Sequence, residues 1–106
     1  METSKHKKRV AVLRGGPSEE YDISLITGAS VIDSLKNHSD FYPLDVVVTK
    51  KGEWLMAGRV YQPDRILNMV DVAFLAFHGA YGEDGTVQRL LSVSYTHLTL
   101  PRILRV

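Results

Sequence analysis

Residues 9–25, Arg-Val-Ala-Val-Leu-Arg-Gly-Gly-Pro-Ser-Glu-Glu-Tyr-Asp-Ile-Ser-Leu, run from an apolar strand pattern through a glycine turn into a helical pattern. Val10, Ala11, Val12 and Leu13 form a nearly continuous apolar run, which predicts a strand covered on both faces of a parallel sheet. Gly15 and Gly16 end it, since paired glycines permit positive φ and a close backbone approach to a ligand. Pro17 fixes one dihedral, and Ser18 or Asp22 is placed to accept from the free N–H groups of a helix start. Such a start carries partial positive charge and unpaired donors, a natural seat for a carboxylate or phosphate. Taken alone, the stretch reads equally as a plain βα connection. Glu19 and Glu20 either complement the helix dipole or, with one turned inward, bind a substrate ammonium.

At 106 residues the chain is long enough for one compact domain and no more, one that buries roughly 60–65% of its unfolded surface. Its apolar fraction of 44% and charged fraction of 24% are ordinary for a globular protein, and a net charge of +1 gives no case for nucleic acid. The chain has no cysteine, so there is no disulfide framework, thiolate metal site or cysteine nucleophile, which is compatible with a cytoplasmic protein. No apolar run is long enough to span a bilayer, and none follows the basic leader as an export signal requires.

Residues 1–8, with Lys5, His6, Lys7 and Lys8, read as a solvated basic leader. His6 has no second imidazole at a metal-binding spacing. Residues 23–36 carry a helical pattern in which Leu25, Ala29, Ile32 and Leu35 or Lys36 recur at three- and four-residue steps. Gly28 in mid-helix sacrifices up to about 1 kcal/mol against alanine, which points to close packing of the helix on the sheet. Ser24 has no histidine or lysine base beside it in sequence, so it reads as a local hydrogen-bonding group rather than a nucleophile. A second strand follows at residues 41–49, with the β-branched run Val46, Val47 and Val48, and Pro43 marks its edge or entry. Lys50, Lys51 and Gly52 turn the chain back through Glu53–Met56, a short strand expected at the sheet edge, where Trp54 packs rather than binds. Residues 57–59 and 62–64 read as breaks, with Asp64 capping a short helix through Ile66, Leu67 and Met69.

Residues 70–77 are apolar almost without interruption, as an interior parallel strand would be, and they deliver His78 and Gly79. Another Gly-rich turn follows, then a helical pattern at Leu90 and Leu91. Two strands thus each end in a Gly-rich loop and a helix start. In an open α/β sheet the carboxyl ends of parallel strands share one rim, which predicts that Glu20 and His78 face one ligand. Read apart, His78 is a loop-tying residue and Glu83 with Asp84 are dipole-complementing acids rather than metal ligands, so no metal site is expected.

The two loops together, Leu-Arg-Gly-Gly-Pro-Ser-Glu-Glu-Tyr-Asp-Ile-Ser-Leu at 13–25 and Ala-Phe-His-Gly-Ala-Tyr-Gly-Glu-Asp-Gly-Thr-Val-Gln-Arg-Leu-Leu at 76–91, closely resemble the N-terminal domain of the D-alanine:D-alanine ligase family. The resemblance covers residues 9–91 as one domain. It implies an α/β three-layer sandwich with a mostly parallel, Rossmann-like sheet that precedes an ATP-grasp domain. It further implies an enzyme of peptidoglycan precursor synthesis in which ATP, with Mg2+, phosphorylates the carboxylate of one D-alanine and the amine of a second attacks the acylphosphate. By position, Glu20 resembles the residue that pairs with the first substrate's ammonium, His78 the imidazole beside its carboxylate, and Ile23 the apolar residue against its methyl. Gly15 and Gly16 shape the loop that holds it. A cytoplasmic homodimer at full length, with no nucleic-acid or membrane partner, is implied as well.

The likeness fades after Leu91. Arg89 stands where the family has glycine, and Ser92 where it has an acid. Residues 92–106 follow no family pattern and read as a frameshift, an expression scar or a divergent end, in which Tyr95, Thr96 and Leu98 form a stray strand. The ATP-grasp part, with its nucleotide-gripping lysines and magnesium-binding acids, is expected to be absent, so the chain alone is expected to be inactive. Two other readings compete: a fragment of a ligase that takes D-lactate or D-serine second, and a non-catalytic α/β binding module.

Overall fold

The computed structural model describes residues 7–17, 19–77 and 102–105. Among them six strands form one sheet in the order β4-β3-β2-β1-β5-β6. The strand β1 (Lys8–Gly15) lies at its centre, parallel to β2 (Phe41–Val48) on one side and to β5 (Val72–Leu75) on the other. All of Val10, Ala11, Val12 and Leu13 are buried, as an interior parallel strand requires. Their side chains alternate between two cores. Val10 and Val12 meet Ile32, Val31 and Leu35 of the helix α1 (Tyr21–Lys36), while Ala11 and Leu13 share the opposite core with Trp54, Ile66 and Leu67. The last two belong to α2 (Pro63–Leu67). One helix on each face makes the three layers expected from the sequence.

The chain departs from β1 through α1 to β2, then turns back through two short antiparallel strands, β3 (Trp54–Met56) and β4 (Arg59–Tyr61). α2 carries it across the other face to β5, beyond β1. β1 is therefore the point where the strand order reverses, and the crevice outside its carboxyl end is where open α/β sheets bind ligands.

Several local expectations need correction. β3 is not the edge strand: β4 pairs with it, and the expected break at residues 57–59 is a two-residue hairpin. Ala57 (φ 54) and Gly58 (φ 79) both take positive φ there, which is the primed turn that matches strand twist. An alanine in that conformation is uncommon, so the turn carried little signal in sequence. On α1, Ala29 faces solvent, and the buried stripe is Ser24, Gly28 and Ile32. Among the described residues neither helix has a side-chain cap: Glu20 occupies the N-cap of α1, so Asp22 lies inside the first turn, and Gln62 rather than Asp64 occupies that of α2. Ser18, Tyr95, Thr96 and Leu98 lie outside the described residues. The strand β6 (Arg102–Arg105), unanticipated in the tail, runs parallel to β5, and its half-buried Ile103 packs against the α2-side core.

Pro43 sits within β2 opposite Val10. β3 pairs with Val46, Val47 and Val48, so among the described residues β1 alone lies beside the strand at Pro43. Trp54, 1% exposed, is among the large fully buried side chains of the α2-side core. It removes roughly 150–250 Å² from water, worth about 4–6 kcal/mol at 25 cal per Å².

Gly28 has the role its position implied, with an arginine as the reason. A Cβ built there would lie 2.6 Å from both Cβ and Cδ of Arg14 on β1. The Arg14 Cβ is anchored to the strand and cannot swing aside. Gly28→Ala gains up to about 1 kcal/mol of helix propensity but overpacks this contact at about 1–3 kcal/mol, so a net loss of stability is expected. A urea midpoint equal to or above that of the parent would contradict it.

Candidate functional site

The carboxyl ends of β1, β2 and β5 meet at Gly15 and Gly16. Both glycines are buried, with φ of 95° and 97°. At Gly15 even a methyl group is excluded, because a Cβ would lie 2.5 Å from the Val48 carbonyl oxygen and 2.9 Å from the Tyr21 ring. The Gly16 N–H donates to the Val48 carbonyl at 2.8 Å. The Gly15 N–H donates at 2.9 Å to the hydroxyl of Ser24, whose own proton goes to the Ala76 carbonyl at 2.6 Å. The donors of Gly15 and Gly16 are thus consumed by the fold.

Ser24 is 0% exposed, and its hydroxyl both accepts and donates. It ties the end of β1, the first turn of α1 and the end of β5 into one unit. A nucleophile needs an approach path and a base; a buried hydroxyl whose proton is held by a backbone carbonyl has no access, and no base stands beside it among the described residues. The local hydrogen-bonding reading of Ser24 is therefore the correct one.

Glu20, half-buried, occupies the N-cap of α1, with its carbonyl accepting the Ser24 N–H at 2.9 Å. Its carboxylate belongs to the positive end of the helix. Ile23 follows at the i+3 position and is 51% exposed, so the helix leaves it uncovered by the rest of the described domain. His78, Glu83 and Asp84 lie outside the described residues. The chain leading to His78 is nonetheless fixed close to α1: Ala76, two residues earlier, donates its N–H to the Leu13 carbonyl at 2.9 Å and accepts from Ser24.

Arg14 is a member of this edge that the sequence reading passed over. Its guanidinium spans the α1 face and makes paired hydrogen bonds to Asp45 of β2 at 2.9 and 2.7 Å, with a third at 2.8 Å to the Leu25 carbonyl of α1. The hydrogen-bonded Asp45 carboxylate raises the guanidinium above its ordinary pKa, while partial burial works the other way. A single charged residue inside an apolar strand, followed by a mid-helix glycine, was the available signal. Beside Gly15, Lys50 Nζ stands 5.3 Å from the centre of the Tyr21 ring, a cation–π contact across the same rim.

Among the described residues no group of three or more His, Cys, Asp or Glu side chains gathers as metal ligands would, and no helix is long and apolar enough to cross a membrane. Two open hollows are lined by described residues: one of about 290 Å³ beside Arg59, Tyr61 and Arg65, the other of about 280 Å³ beside Lys7, Arg9 and Asp71. Neither touches Gly15, Gly16, Glu20 or Ile23.

Residues 9–66 match the family model described as D-ala D-ala ligase N-terminus. The chain is 36% identical over 104 residues to the D-alanine–D-alanine ligase of Clostridium acetobutylicum, covering 79% of this chain and 30% of that protein. In structure it resembles the D-alanine-D-alanine ligase of Aeromonas hydrophila, with a TM-score of 0.70 at 25% identity, over 91% of this chain and 38% of that one. It also shares the fold of the VanG D-Ala:D-Ser ligase of Enterococcus faecalis, with a TM-score of 0.68 at 24% identity, over 92% of this chain and 35% of that one. The chain therefore spans about a third of the length of the curated relatives it matches.

Ser24→Ala leaves a buried N–H and a buried carbonyl unpaired, each a penalty of about 1–3 kcal/mol. The expected result is a loss of at least about 2 kcal/mol in equilibrium urea unfolding, with the Gly15 amide among those that lose most protection from hydrogen exchange. Unchanged stability would mean that the tie contributes nothing.

Proposed function

The chain belongs to the family of D-alanine–D-alanine ligase N-terminal domains, and on that premise we propose that it is the first-substrate domain of an ATP-dependent ligase that joins two D-alanines for peptidoglycan. What supports this reading is the Ser24 tie. It holds the helix start that carries Glu20 and the strand end that leads to His78 on one rim, at the crevice where the strand order reverses.

Glu20 meets the ammonium of the first D-alanine, His78 lies beside its carboxylate, and Ile23 meets its methyl group. Glu20 contributes charge and position rather than proton transfer, since orienting reactants can remove several kcal/mol of a barrier. Gly15 and Gly16 shape the loop by their conformation and do not bind through their N–H groups. ATP with Mg2+, gripped by an ATP-grasp part that the described residues do not provide, supplies the phosphoryl group that activates the first carboxylate. The second substrate is selected outside this domain, so the same domain serves a ligase that takes D-serine or D-lactate second. The working enzyme is a cytoplasmic homodimer.

In the ligase that contains this domain, Glu20→Gln is expected to raise the KM for the first D-alanine. Loss of a charge-assisted hydrogen bond of about 2 kcal/mol corresponds to roughly 30-fold. Near-normal kinetics would remove Glu20 from the site. The 106-residue chain by itself is expected to release no phosphate in the presence of ATP and D-alanine, and release above a heat-denatured control would refute that part of the reading.

A further inference from the structure

We infer that Arg14 is a positioning residue for substrate binding, acting by fixing the rotation of α1 about its own axis. The inference rests on the assignment of Glu20 to the first-substrate site.

Two consecutive residues of α1 are tethered to the sheet by different groups. Ser24 is held through its side chain to the Gly15 N–H and the Ala76 carbonyl, and Leu25 through its carbonyl to Arg14 Nη1 at 2.8 Å. The two ties reach the sheet at different places, Ser24 at the ends of β1 and β5 and the Leu25 carbonyl at the Arg14 side chain held between β1 and β2. A helix tied at one point can still roll about that point, whereas ties in two directions leave it one orientation. Arg14 cannot itself roll. Its Nε and Nη2 are gripped by both oxygens of Asp45 on the neighbouring strand, and its stem fills the space left by the missing side chain of Gly28. The guanidinium therefore works as a fixed post between β1, β2 and α1.

The helix start is where this matters. Glu20 is the N-cap of α1 and turns with it. A carboxylate roughly 6 Å from a helix axis, on a cylinder with a Cα radius of about 2.3 Å, moves about 2 Å for a 20° roll. A shift of that size removes a hydrogen bond to a bound ammonium and is enough to alter binding without unfolding anything. Lysine cannot replace Arg14 in this role, because a single ammonium does not match a carboxylate with two parallel bonds and reach a helix carbonyl as well.

The test compares four variants of the ligase that contains this domain: Arg14→Met, which keeps the long stem over Gly28; Asp45→Asn; their double mutant; and Glu20→Gln. Arg14→Met is expected to raise the KM for the first D-alanine about 5- to 20-fold, with kcat and the KM for the second D-alanine within twofold of the parent. The double mutant should be no worse than Arg14→Met alone, because Asp45 acts through Arg14. A merely structural role would lower kcat and melting temperature without separating the two KM values, and that outcome overturns the inference. An altered Glu20→Gln beside an unaltered Arg14→Met overturns it alone, whereas an unaltered Glu20→Gln overturns the site assignment on which it rests.

Discussion

One buried hydroxyl holds the working edge of this domain together. Ser24 closes a path from the Gly15 N–H through its own oxygen and proton to the Ala76 carbonyl. Every partner in that path is a backbone group at the end of a parallel strand, where the ladder runs out and would otherwise leave donors and acceptors unsatisfied in a dry environment. The residue must be small to fit beneath the helix, polar on both sides, and located in the first turn. Serine meets all of these needs at one position. The left-handed glycines follow from the same constraint, since only a chain without side chains at Gly15 can bend tightly enough against Val48 to present its N–H to that oxygen.

The two faces of the sheet are held in different ways. The α2 side is a large apolar core that contains Trp54, closed by ordinary packing. The α1 side is smaller, with Val10, Val12 and Ile32 at its buried centre, and is supplemented by the polar post of Arg14 and Asp45. A partly buried, bidentate ion pair that also reaches a helix carbonyl contributes direction more than free energy. Apolar side chains tolerate sliding; a guanidinium fork does not. The helix that carries the candidate binding residue is thus the one secured by directional bonds.

Much of this architecture was legible in the residues. The uninterrupted run at Val10–Leu13 announced a strand buried on both faces, and Gly28 announced a close approach, because each of those signals arises locally. The missed features have non-local causes. β4 was hidden because its turn uses Ala57 at positive φ, and β6 because its pairing to β5 depends on a partner strand far away in sequence. Ala29 has the right spacing for the buried face yet looks outward, since the face of α1 turned to the sheet is the one that carries Ser24, Gly28 and Ile32. Of the candidate site, the glycine turn and the helix start at Glu20 were readable, whereas the anchoring of the strand end before His78 to Ser24 exists only in three dimensions.

Trp54 has a consequence of a different kind. It is the chain's single tryptophan, sealed in the larger core, and among the described residues its indole N–H has no hydrogen-bond partner. Its ultraviolet emission therefore arises from one dry, apolar setting with no competing indole, and shifts to longer wavelength once water reaches the ring. The domain carries its own optical gauge of whether that core is closed, readable without a label.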